Sequence, residues 1–192
     1  MQRERHTWWS RAATVLWLVA MASVVTGVVL GLVVERSGNE AWNLTPRGVL
    51  LLQAACFAAY ASVGALIVRQ ARGHTIGWIY LVAGSAFAVG LLGESWAKWH
   101  AVDGDVNDLT AIASWVYDWS WRLAASIGFI AVVLFPHRRP TSWWMRVLTG
   151  LLVLDAVAVV LPLMVHPGTT DGGSYQENPF AMHIFQSPAS SR

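Results

Sequence analysis

The stretch SWVYDWSWRLAASIGFIAVVLF, residues 114–135, decides the fold: its second half is unbroken apolar sequence, while its first half carries an Asp, an Arg and three Trp. A hydrocarbon core about 30 Å thick takes about 20 residues of helix to cross. The run from 109 to 135 meets that length in spite of its charges, so it reads as a span. Four other runs, near 13–34, 48–69, 76–97 and 143–165, are long and apolar enough to be spans of the same kind. The expected fold is all-α, a polytopic helical membrane bundle of about five transmembrane helices. Residues 1–12 form a basic N-terminal segment. Residues 166–192 form a Pro-, Gly- and Ser-rich tail, expected to be flexible, whose apolar patch from Phe180 to Phe185 is too short to cross.

Composition points the same way. Of 192 residues, 55% are hydrophobic and 12% charged, whereas an average soluble domain carries about 25% charged residues. A formal charge of +2 and the lack of any long basic run leave no stripe for nucleic acid. Cys56 stands alone, which excludes an intrachain disulfide and a cysteine-based zinc site. The first span is too long for a signal-peptide core and reads as a retained anchor.

Orientation follows from the basic residues, because Lys and Arg resist translocation and acids matter little. Arg3, Arg5, Arg11, Arg69, Arg72, Arg138, Arg139 and Arg146 flank one side of the five spans, against Arg36, Arg47, Lys98 and Arg192 on the other. The richer side is expected to be cytoplasmic, with the N-terminus inside and the tail outside. Indole rings settle at the headgroup level, and Trp8, Trp9, Trp78, Trp143 and Trp144 fall at inner ends, with Trp42, Trp96 and Trp99 at outer ones. Trp115, Trp119 and Trp121 have no such explanation.

Glu94, Asp118, Arg122 and Asp155 lie inside the expected spans. A charge near the bilayer centre costs about 2.5 to 3.5 kcal/mol on insertion scales, so such residues face the bundle interior and pair. Trp115, Asp118, Trp119 and Arg122 fall at helical offsets that share one face, with Trp121 pointing elsewhere. By depth, Arg122 is expected to bridge Asp118 and Asp155, with Glu94 nearer the outer surface. Three readings stay open for this group: interhelical glue that binds nothing, a polar pocket reading a small ligand, an ion or protonation, or a proton or solute path. Gly27 and Gly31 form a GxxxG, a spacing at which helix backbones approach closely. His100, His166 and His183 read as loop histidines without metal-ligand spacing.

Catalytic motifs are missing from the sequence: there is no nucleophile elbow, P-loop or HExxH, so neither an enzyme nor a cofactor is expected. Four strings in order, VGALIVRQARGHTIGWIYLVAG (63–84), LLGESWAKW (91–99), LFPHRRPTSWWMR (134–146) and ENPFAM (177–182), resemble the N-terminal membrane region of actinobacterial two-component sensor histidine kinases. The chain departs from that pattern at His137 and Arg138, where the family has Asp-Gly. It also lacks the family's returning helix, its phosphoacceptor-histidine domain and its ATP-binding domain. The resemblance implies a plasma-membrane input module, truncated or free-standing without its catalytic half. It further implies a homodimer or a signalling partner in the membrane or cytoplasm. A small accessory membrane subunit and a small-solute or proton transporter are the alternatives; internal repeats, frequent in transporters, are not visible.

Overall fold

The computed structural model describes residues 2–36, 46–71, 74–102, 104, 107–134, 142–165, 178 and 180. These residues form five helices: α1 (Gln2–Arg36), α2 (Arg47–Gln70), α3 (Thr75–Val102), α4 (Asp108–Leu134) and α5 (Trp143–Val165). No strand occurs among the described residues. Four helices, α1 from Trp8, α2, α3 and α5 as far as Pro162, are long and apolar enough to cross a membrane. With 27 residues, α4 is about 40 Å long, enough to cross. It falls short only in composition, because its first half holds Asp118 and Arg122. Two helices outrun their expected bounds: α1 reaches back into the N-terminal segment, and α3 continues past residue 97 and takes Lys98 with it. Trp42, the PHRRP loop and most of the tail lie outside the described residues.

Local chemistry sets the helix starts. Asn107 accepts the Thr110 N–H at 3.1 Å, and Ser142 Oγ accepts the Met145 N–H at 3.3 Å. Each relieves one of the donors that a first turn leaves unpaired. Pro46, with φ −53° and ψ 142°, leads into α2 without needing an N–H there. Between α3 and α4, Gly104 takes φ +73°, a left-handed conformation that suits glycine.

At the centre stands α3, packed on α1, α2 and α4, whereas α5 packs on α4 alone. Small residues make the centre possible. A Cβ on Gly64 would run into the backbone of Leu81 and one on Gly84 into the backbone of Ala61, so α2 and α3 are in backbone contact. Gly90 lies under Ser120, and Gly93 under the Ala113 carbonyl, which brings α4 in as closely. A Cβ on Gly27 would lie 3.2 Å from Leu91 and Leu92, and one on Gly31 would meet Leu50 and Ser95. The GxxxG pair thus packs α1 within the same chain.

Cross-contacts fix the directions. Trp17 Nε1 donates to Ser62 Oγ at 3.0 Å, and Glu35 pairs with Arg47 where α1 ends and α2 begins. Trp9 meets Trp78 edge to face at 5.7 Å, at the starts of α1 and α3. Ser126 donates to Asp155 at 3.3 Å between α4 and α5. Successive helices are therefore antiparallel, with Arg11, Arg69 and Arg146 at one end of the bundle and Glu35, Arg47, Lys98 and Asp108 at the other. The outward residues of α1 and α5, among them Val15, Leu18, Val25, Leu151, Leu154 and Leu161, are apolar and exposed, as lipid-facing surfaces are.

Candidate functional site

Lys98 Nζ meets Glu94 Oε1 at 2.6 Å, one turn apart on α3, with their side chains only 11% and 13% exposed. Both groups occur where α3 is nearly enclosed, because small neighbours let α1 and α4 close over it. On the α1 side, Gly31, Val34, Glu35, Leu50, Ser95, Glu94 and Lys98 surround a space of about 20 Å³, enough for about one water. In so low a dielectric each charge of the pair is stabilised by the other, and removing one is costly.

The opposite side of Glu94 opens into a cavity of about 360 Å³ lined by Gln53 and Phe57 of α2, Phe87, Gly90, Leu91 and Glu94 of α3, and Tyr117 and Trp121 of α4. It exists because the backbones of α2 and α4 both approach α3 closely but not each other, which leaves a cleft over the Gly90 turn. Phe57 and Phe87 stack at 4.7 Å with their rings 2° from parallel. The cavity offers aromatic faces on three helices, with a carboxylate, a phenol and an amide as its polar groups. Size, apolar lining and few polar groups are those of a small-molecule pocket. Its residues lie nearer the end of the bundle that carries Glu35, Arg47 and Lys98.

The residues singled out from sequence divide between two places. Glu94 is in the cavity. Trp115 and Trp119 do share a face, edge to face at 5.6 Å, but that face turns to α5: Trp115 Nε1 donates to the Met164 carbonyl at 3.0 Å. Trp119 Nε1 is buried without a hydrogen-bond partner among the described residues. Asp118 is half-buried next to Tyr117. Arg122 stands 5.3 Å from the centroid of the Trp121 ring, and no ion pair joins it to Asp118 or Asp155 among the described residues. Arg122 and Asp155 instead line a second cavity, of about 250 Å³, with Trp121, Ser126, Phe129 and Leu152 between α4 and α5. Asp155 is exposed and takes the Ser126 hydrogen bond.

Trp121, set apart from the expected face, is the residue common to both cavities. Lys98, Gln53 and Tyr117 also belong to the site. Lys98 was counted as an outer flank because the third span was expected to end at residue 97; the Glu94–Lys98 spacing of i,i+4, acid first, is the signal that points to the pair.

The tail returns to the bundle at two described residues. Asn178 is buried, with its amide donating to the same Met164 carbonyl at 3.1 Å and its Oδ1 accepting the Phe180 N–H at 2.9 Å. Phe180 packs on Trp115 at 4.7 Å. The apolar patch that is too short to cross thus begins with a ring seated on α4. Asn178→Ala should cost about 1 kcal/mol and make the tail cleave faster in limited proteolysis, with the bundle itself intact.

A helical membrane protein with a nearly enclosed ion pair and an aromatic cavity is the class that the fold and site define. No protein-family model matches the chain, and neither a curated protein nor a solved structure matches it.

Proposed function

We propose that the chain is a membrane-embedded input module of a two-component type of signalling protein, and that its sensing site is the α2–α3–α4 cavity. The observation that carries this reading is the position of Glu94: it is held by Lys98 on one side and lines a cavity of about 360 Å³ on the other. A pair serving only to neutralise two charges within α3 would be sealed by packing on both sides. The resemblance of 63–84, 91–99, 134–146 and 177–182 to kinase input regions supports the signalling context. In this reading the protein spans the plasma membrane several times, the N-terminus is cytoplasmic, and the cavity opens toward the outside. A ligand acts by favouring one separation of α2 and α4 over another, since only differential affinity shifts such an equilibrium. A homodimeric or membrane-embedded signalling partner reads the change.

The test is thermal unfolding of the purified chain in nanodiscs with a panel of small amphiphiles, from alkylamines to short fatty acids. A binder at about 100 times its Kd stabilises by about 2.7 kcal/mol. The shift is expected in the wild type and lost in Gln53→Trp, which fills the cavity. A panel that shifts neither protein, or both equally, favours the accessory-subunit reading.

A further inference from the structure

We propose that the ligand of the α2–α3–α4 cavity is a small primary amine with an aromatic tail, bound as its ammonium with the head at Glu94. This inference rests on the reading of that cavity as the sensing site, and names the chemical class that the site takes.

Helix register divides the cavity into two layers. The close approach of Gly84 to Ala61, followed along the antiparallel pair, brings Gln53 level with Leu92 and Phe57 level with Ala88. The approach of Gly90 to Ser120 likewise brings Tyr117 level with Gly93 and Trp121 level with Val89. Gln53, Glu94 and Tyr117 therefore form one layer. Phe57, Phe87 and Trp121 form the next, about 7 Å further from the Lys98 end of α3. All six line the cavity.

The first layer presents acceptors and no cation. Among the described residues, Glu94 is the only charged one lining this cavity, whereas Lys98 lines the space on the α1 side. A ligand thus meets the carboxylate end of the ion pair. A carboxylate offers about four acceptor positions, enough for Lys98 and a second ammonium. No hydrogen bond among the described residues holds the Gln53 amide or the Tyr117 hydroxyl. A primary ammonium carries three N–H donors and no acceptor, which matches a carboxylate, an amide carbonyl and a phenol oxygen. An anion would bring a second negative charge beside Glu94 with no cation to offset it. An alcohol would forgo the charge-assisted hydrogen bonds that an ammonium makes. In the second layer Phe57 and Phe87 stack into one wall across α2 and α3, and Trp121 of α4 faces the same space. Those rings suit an aromatic tail, and an arylethylamine spans the two layers.

Binding of ring-matched probes to the full chain in nanodiscs provides the test, by calorimetric titration with phenethylamine, 2-phenylethanol, phenylacetate and trimethylphenethylammonium. Phenethylamine is expected to bind about tenfold more tightly than 2-phenylethanol, with phenylacetate weakest. The trimethylated probe, which has the charge but no N–H, should fall between amine and alcohol. The double variant Glu94→Gln, Lys98→Met should bind amine and alcohol alike, and Tyr117→Phe should reduce the amine's advantage about threefold. Melting without ligand checks that each variant folds. The proposal is overturned if 2-phenylethanol or phenylacetate binds the wild type as tightly as the amine, or if the double variant keeps the full preference. Either result, with binding still lost in Gln53→Trp, leaves the sensing reading standing. Failure of every probe to bind goes against both. Spin labels at Leu52→Cys on α2 and Ile112→Cys on α4, in a Cys56→Ser background, report the opposite case: amine-selective binding with no change in their separation would keep the amine site and remove the sensing reading.

Discussion

Replacing Lys98 with Met is expected to destabilise the bundle by about 3 to 5 kcal/mol, the cost of leaving a nearly enclosed carboxylate without its partner. Glu94 and Lys98 are 2.6 Å apart with little exposure, and the volume on the Lys98 side holds about one water. Little solvent can replace the ammonium on that side, while the cavity on the other side of Glu94 admits water and keeps the loss toward the lower end of this range. The double variant Glu94→Gln, Lys98→Met should recover most of the loss, because it leaves no buried charge. Steric-trap or denaturant unfolding of the two single variants and the double gives the coupling directly. Additive losses would mean that the two groups do not act as a pair.

A second large effect is expected at Gly64. Any side chain there would drive into the backbone of Leu81 and the Gly77 carbonyl, so Gly64→Val must push α2 off α3. Overpacking of this kind costs about 3 kcal/mol, and here backbone rather than a flexible side chain is in the way. The same measurement on Gly48→Ala and Gly150→Ala provides the contrast, since nothing lies within 4 Å of a Cβ at either position. Those substitutions should be neutral or stabilising, by up to about 1 kcal/mol, because alanine loses less freedom in a helix. A loss at Gly64 no larger than at Gly48 would contradict the close α2–α3 contact.

Helix number and order were legible because length and apolarity are local properties: all five helices fall where the apolar runs lie, within a few residues at most ends. The face of Trp115 and Trp119 was legible for the same reason, since helical periodicity alone sets it. Partners were not legible, because they depend on which helices touch. Depth made Arg122 and Asp155 neighbours, and they do line one cavity, yet depth could not show that Arg122 turns to Trp121. In the linear sequence the glycines of α3 only interrupt an apolar run. In three dimensions Gly77 and Gly84 admit α2, and Gly90 and Gly93 admit α4. The cavity itself is a gap between α2 and α4, and no local pattern reports a gap. Glu94, an acid inside an apolar run, is the one residue of its wall that was singled out by type, and Gln53 was missed.

Accessibility of Gln53→Cys in a Cys56→Ser background tests the central claim most directly. A membrane-impermeant maleimide added to intact cells should label this residue if the cavity is wet and opens to the outside as proposed. Ser142→Cys, exposed at the opposite end of the bundle, should be labelled only after permeabilisation. Labelling of Gln53→Cys that requires permeabilisation, or that fails in both conditions, would contradict an outward-facing sensing cavity.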